Sequence, residues 1–355
     1  MTIYWILLAI PALIGLAYSF EEYPGWVSLG HRAMLFAFAV FYAIVAMLRF
    51  EVGGDWGAYA GMYEDIRMSS LSASLTITDP AFALLLWLSA QLALNVYVAN
   101  GIAALLLALG MVRLAATTRN PWAAVMISVP YLLIVVGMGY VRQGAAIGLV
   151  LLAVVALGRG RGVQTMINLA LALAFHTTSI IVWPLFAAVM ARRNKVQVAA
   201  ITVFGTIGFL ALVSSRLGKF EAGYVDETYD SSGALVRLLM GLVPSLLLLA
   251  RYRSFTATGP TRTLWLYVAL GNVAMFIALG LVSSSTAVDR LALYFAPIQL
   301  VVFGEMAALV GSSRQTRILL RFALIAVAVA VQMVWLLYAT HASYWVPYKT
   351  ILSDL

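Results

Sequence analysis

The sequence predicts an all-α protein that crosses a membrane many times, and three observations carry that prediction. Hydrophobic residues make up 63% of the chain and charged residues only 10%, where a soluble domain carries about 25% charged residues. Mean hydropathy is +0.97. Apolar runs of roughly 18 or more residues recur from end to end, each long enough to span a bilayer. Hydrocarbon offers no partner to a backbone N–H or C=O, so such runs must close their hydrogen bonds internally as helices.

Turn residues and charges divide the chain in order. The run 3–20 ends in Ala17-Tyr18-Ser19, which resembles a leader cleavage site. It has no basic segment before it, so it is expected to remain as an uncleaved first span. Further spans are expected at 32–48, 81–113, 122–139, 141–158, 163–175, 177–190, 196–214, 236–250, 263–282, 289–311 and 317–339, which makes about twelve crossings. The stretch 81–113 is too long for one span, so part of it should lie in the interface. The pair 163–175 and 177–190 is short and flanked by basic groups (Arg159 and Arg161; Arg192, Arg193 and Lys195). A short helical hairpin over 163–190 with its tip at His176 accommodates that pattern. No linker or low-complexity tract interrupts the chain, which implies a single integral membrane domain over 1–355. Its longest polar stretches are the loops 49–80 and 215–235.

Composition also excludes chemistry. Cysteine is absent, which removes disulfides, thiolate metal sites and cysteine nucleophiles. The net charge of +8 could suggest nucleic acid, but the basic residues stand singly or in small groups between apolar runs, a pattern of membrane topology. With both termini outside, 14 of the 22 basic residues fall on the cytoplasmic side and 11 of the 14 acids outside, as the positive-inside rule requires. Function is therefore expected to face outward.

Topology leaves Arg49, Arg142, Arg237 and Arg290 unexplained, since each stands at the outer end of an expected helix. Arginine at that depth needs an anion or a paired acid. Its planar fork of donors suits phosphate oxygens, and a lipid pyrophosphate would carry its charge at this level. Glu51, Asp55 and Asp289 are the acids that could pair with these arginines instead. The stretch Arg49-Phe50-Glu51-Val52-Gly53-Gly54-Asp55-Trp56-Gly57-Ala58-Tyr59 adds an acid able to orient arginine or accept a proton. Trp56, Tyr59 and Tyr63 have flat faces suited to sugar rings or to an interfacial belt. His176, between two apolar half-spans, could act as a general base or cap a broken helix. No second ligand stands near it at metal spacing, so no metal or other cofactor is expected.

Together these residues carry a resemblance. Arg49 to Tyr59 resembles the R-x-x-x-G-x-D-x-x-x-Y segment of the EpsG/Wzy-type polysaccharide polymerases. Arg142 to Gly148 is similar to their R-x-x-x-A-x-G helix start, and Phe175-His176-Thr177-Thr178-Ser179 to their F-H-x-S segment. Asp289 to Tyr294 resembles their late R-x-x-x-Y helix. Pro347-Tyr348-Lys349 resembles their C-terminal P-Y segment, with Lys349 where asparagine is expected. The resemblance implies a GT-C-like membrane glycosyltransferase of the bacterial inner membrane, its active site facing the periplasm. It would move a glycan from undecaprenyl pyrophosphate to another lipid-linked repeat unit, with a chain-length regulator as a further partner. Arg142 and Arg290, helped by Arg49 and Arg237, would hold the pyrophosphate, and His176 or Asp55 would act on the acceptor hydroxyl. Trp56, Tyr59, Tyr224, Asp226 and Tyr229 would meet the glycan. Two other activities remain open: a ligase of finished polymer, as in O-antigen transfer, and a flippase of lipid-linked oligosaccharide. Glu305, nearly the only acid inside a span, is weak support for transport, and no inverted repeat is apparent.

Overall fold

The computed structural model describes residues 1–17, 27–191, 233–282, 285–310 and 313–352, with positions 199, 203, 205 and 206 between them. Most of the expected span 196–214 lies outside the described residues, and so does the loop with Tyr224, Asp226 and Tyr229.

Among the described residues, every regular element is helical. In chain order these are α1 (Thr2–Ala17), α2 (Leu29–Leu48), α3 (Trp56–Arg67), α4 (Leu71–Ile77), α5 (Pro80–Gln91) and α6 (Val96–Ala115). They continue as α7 (Pro121–Gly139), α8 (Val141–Gly158), α9 (Gly162–Phe175), α10 (Thr177–Met190), α11 (Ala234–Ala250) and α12 (Gly259–Leu279). The last are α13 (Ser285–Ala292), α14 (Ile298–Gly304), α15 (Met306–Leu309) and α16 (Arg314–Tyr338). Caps mark several starts: the Ser28 hydroxyl accepts from the His31 N–H before α2, and Asn120 Oδ1 accepts from the Ala123 N–H before α7.

Among the described residues, six helices are long and apolar enough to cross a membrane (α2, α6, α7, α8, α12 and α16), and α1, α5, α9, α10 and α11 are shorter apolar helices. The expectation of about twelve full crossings is therefore met only in part, because several apolar runs are broken. The run 81–113 divides into α5 and α6 at Leu92–Asn95, where Ala93 takes a positive φ of 53°. The run 289–311 divides into α13, α14 and α15, around Pro297, which has no N–H to continue a helix. Glu305 thus does not share a helix with Arg290. The expected polar loop 49–80 is mostly helical, folded into α3 and α4.

The core is built on α6, α7 and α8. The α7 helix is wholly buried and widens into π-helical turns over Val129–Val136, beginning where Pro130 cannot donate to the preceding turn. Helices α6 and α8 nearly touch: a Cβ on Gly110 would fall 2.1 Å from the Gly148 carbonyl oxygen. Small residues at such a crossing let backbones approach inside a membrane. Outward, α11, α12 and α16 expose Val243, Ile277, Leu319 and Phe322, apolar side chains that fit a hydrocarbon solvent. Because α8 runs down from Arg142 and α9 runs back up alongside it, the break at His176 returns the chain to the level of Arg142.

The C-terminal segment closes that same end. Phe50 N–H donates to the Lys349 carbonyl and Ile351 N–H to the Leu48 carbonyl, while Tyr348 Oη donates to the Val45 carbonyl at 2.7 Å. The end of α2 is thereby held against the segment that resembles P-Y.

Candidate functional site

Asp79 organises the site. It precedes α5, whose first residue is Pro80, a residue suited to the first helical position. Asp79 Oδ2 accepts from Arg142 Nη1 at 2.7 Å and lies 3.2 Å from His176 Nδ1. Its Oδ1 accepts from the Thr177 N–H at 3.3 Å. Arg142 Nη1 also donates to Thr78 Oγ1 at 2.8 Å. One buried carboxylate therefore joins the start of α8 to the break between α9 and α10. Burial alone would raise the Asp79 carboxyl, but the hydrogen bond and charge of His176, followed by the Arg142 charge, bring it below the usual carboxylate range. An ionised Asp79 accepts from His176 Nδ1–H, which makes Nε2 the acceptor nitrogen of the neutral ring.

Two further arginines stand near. Arg237, in the first turn of α11, donates from Nε to Asp289 Oδ1 at 2.9 Å. Arg290 is exposed, lies over the Tyr140 ring at 5.9 Å, and has no salt bridge among the described residues. Its backbone carbonyl accepts from Gln143 Nε2 at 2.7 Å, fixing α13 to the start of α8 beside Arg142. Tyr294, one turn on, reaches Thr178 Oγ1 at 3.3 Å.

Asp55 faces this group without an ion pair of its own among the described residues. Burial raises its carboxyl, opposed by the charges of Arg290 and then Arg142, so it lies within electrostatic reach of both. The turn before it requires glycine. Gly53 has φ +100°, and a Cβ there would fall 2.4 Å from the Met138 carbonyl oxygen.

Arg142, Arg237, Arg290, Asp55 and His176 thus lie at one end of the bundle. Three other residues are placed differently. Arg49 is wholly buried and caps α2, donating from Nη1 to Ala46 O at 3.1 Å and from Nε to Val52 O at 3.0 Å. The carbonyls of a helix's last turn lack intrahelical partners, and Arg49 supplies one. Its guanidinium lies 5.5 Å from the Trp56 ring centre, with Tyr4, Tyr42, Tyr59 and Tyr348 around it. It offers no open fork to a phosphate. Trp56 and Tyr59, expected to meet glycan, are buried: Trp56 packs on Tyr97 and Phe50, and Tyr59 packs on Phe82 with its hydroxyl toward Arg142. Their rings are taken up by protein.

Sequence reasoning counted Asp79 only among the outer acids and gave it no role. The signal was an acid directly before a proline-started helix, at the outer side and ahead of an apolar run. Gln143 and Tyr140, which flank Arg142 and Arg290, carried no signal of their own. Among the described residues no three histidine or carboxylate side chains converge as metal ligands.

The family model described as EpsG matches residues 32–350. No curated protein and no solved structure matches the chain.

Proposed function

This chain belongs to the EpsG family, and from that premise we propose that it is a membrane glycosyltransferase that polymerises polysaccharide from lipid-linked repeat units. The donor in this reading is a glycan on undecaprenyl pyrophosphate, the acceptor a second lipid-linked unit, and the site opens at the periplasmic face of the inner membrane. The observation that carries the reading is the Arg142–Asp79–His176 chain beside Arg290, which has no salt bridge among the described residues. It combines a diphosphate-binding charge with an oriented acid–base group.

The chemistry follows from those groups. An acceptor hydroxyl forms a bond to the donor's anomeric carbon while the bond from that carbon to the pyrophosphate oxygen breaks. The electron pair leaves on the lipid diphosphate, whose growing charge Arg142 and Arg290 offset. Arg237, held by Asp289, adds to the positive field nearby. The hydroxyl proton passes to His176 Nε2, with Asp79 holding the imidazole through Nδ1 in the manner of other histidine–carboxylate pairs. Asp55, between the two arginine charges, orients the acceptor sugar. Arg49 acts by holding the first loop in place.

The test is reconstitution of purified protein with a defined lipid-linked repeat unit. A ladder of repeats is expected, and Arg142→Ala should abolish it while insertion in the membrane persists. A product whose acceptor alone has changed would indicate a ligase, and near-normal ladders from Arg142→Ala would refute the scheme.

A further inference from the structure

A cavity of about 850 Å³ lies at the opposite end of the bundle from the Asp79 cluster. Its lining includes Gly158 and Arg159, whereas Arg142 stands at the start of the same helix, roughly 24 Å away along α8. Arginine reaches this cavity from three separate elements: Arg32 from the start of α2, Arg113 from the end of α6 and Arg159 after α8. Arg113 and Arg159 have no ion pair or side-chain hydrogen bond among the described residues. Thr117, Thr258 and Thr261 line the same space. The one carboxylate in the wall among the described residues, Glu305, is engaged by the Arg119 backbone N–H and the Thr256 hydroxyl, and by the Arg119 side chain at 3.7 Å.

Below that polar rim the wall is apolar, formed by Leu35, Val112, Val154, Phe255 and Trp265. Two further lining residues, Leu29 and Phe36, are 85% and 52% exposed. On a helix of membrane-spanning length, Phe36, one turn deeper than Arg32, faces acyl chains. The cavity thus unites an apolar route toward hydrocarbon with guanidinium groups at headgroup level. By the positive-inside rule this end faces the cytoplasm, where the leaflet is anionic and basic pockets between helices hold acidic headgroups.

We propose that this cavity is a binding site for an anionic phospholipid of the cytoplasmic leaflet, its phosphate held by Arg113 and Arg159 with Arg32 and its acyl chain laid along Phe36, one turn deeper on α2 than Arg32. The site is separate from the polymerase reading and stands without it.

The experiment uses full-length protein in detergent, titrated with phosphatidylglycerol, phosphatidylcholine or inorganic phosphate. Bound lipid is counted by native mass spectrometry, and melting is followed in parallel. Phosphatidylglycerol should be retained and should raise the melting temperature, while phosphatidylcholine and inorganic phosphate do neither. Each arginine removed should weaken phosphatidylglycerol binding about fivefold, so the double variant Arg113→Gln with Arg159→Gln should lose about 25-fold. Arg159→Glu, changed at an exposed position, should show at least the single loss while melting normally in phosphatidylcholine. Retention of both lipids alike, equal stabilisation by inorganic phosphate, or undiminished phosphatidylglycerol binding by Arg159→Glu would each overturn the proposal.

Discussion

Replacing Asp79 by asparagine tests the centre of the site with least change of shape. The carboxylate accepts from Arg142 at 2.7 Å and from His176 at 3.2 Å, and hydrogen bonds to charged groups contribute about 1.5–3 kcal/mol each. Asparagine keeps one acceptor oxygen, so about one such bond is lost. Both donors share Oδ2, so an amide that keeps its oxygen there sets its NH2 against the Thr177 N–H, while the flipped amide sets it against Arg142 and His176 and favours the imidazole tautomer with Nε2 protonated and unable to take a proton. A transition state that loses about 3–4 kcal/mol slows roughly 10²–10³-fold at 1.36 kcal/mol per decade. Histidine–carboxylate pairs elsewhere set a ceiling of about 10⁴-fold. Turnover is measured on a defined lipid-linked repeat in proteoliposomes, with melting temperature as the check on folding. Asp79→Asn combined with His176→Ala should be no slower than His176→Ala alone, because the two act as one unit. Parental turnover by Asp79→Asn, or fully additive losses in the double variant, would refute the assignment.

Other outcomes follow from the same geometry. Arg290→Ala should lower turnover by about 10²–10³-fold and leave the melting temperature unchanged, since this exposed guanidinium has no salt bridge to lose among the described residues. Arg49→Met should retain turnover within a few-fold, as a buried charge can often be replaced by an apolar group of similar volume; loss comparable to that of Arg142→Ala would restore Arg49 to the phosphate site. Gly53→Ala should destabilise the protein by about 1–3 kcal/mol, read as a lower melting temperature, because both its φ of +100° and the 2.4 Å approach to the Met138 carbonyl exclude a methyl group. The folded-state carboxyl of Asp79 lies below its unfolded value near 3.9. Its stabilisation is therefore complete above about pH 4 and is lost as pH falls through the folded value. The difference in melting temperature between parent and Asp79→Asn should shrink below about pH 4.

Membrane character was legible in the sequence because apolar length is a property of each segment alone. Continuity of the helices was not, because an apolar run reads the same whether it is straight or broken. The stretch 81–113 breaks where Ala93 turns left-handed, and 289–311 breaks around Pro297. Both breaks are stabilised by tertiary contacts that a linear pattern does not contain. The site was legible to the extent that it depends on residues on the wrong side for topology. Arg142, Arg237 and Arg290 do gather at one end. Their partners were not legible, since pairing Arg142 with Asp79 requires α5 and α8 to be adjacent across 63 positions of sequence.

The four outer arginines show why depth and charge alone cannot assign a role. Arg49 satisfies a helix's last carbonyl inside a ring of tyrosines, Arg237 is paired with Asp289, Arg142 shares Asp79 with His176, and Arg290 has no salt bridge among the described residues. A diphosphate gains most from charges that its arrival does not have to strip from another partner. By that measure Arg290 should bind first and hardest, and Arg142 should serve chiefly by coupling the bound diphosphate to His176. The division predicts different kinetics: Arg290→Lys should raise KM more than it lowers kcat, while Arg142→Lys should lower kcat more than it raises KM. Lysine preserves the charge at both positions, but one ammonium cannot reproduce the planar fork that ties Asp79 and Thr78 to a phosphate at the same time. Equal effects on kcat and KM at the two positions would mean that the arginines act as one undivided field, and the coupling assigned to Arg142 would be wrong.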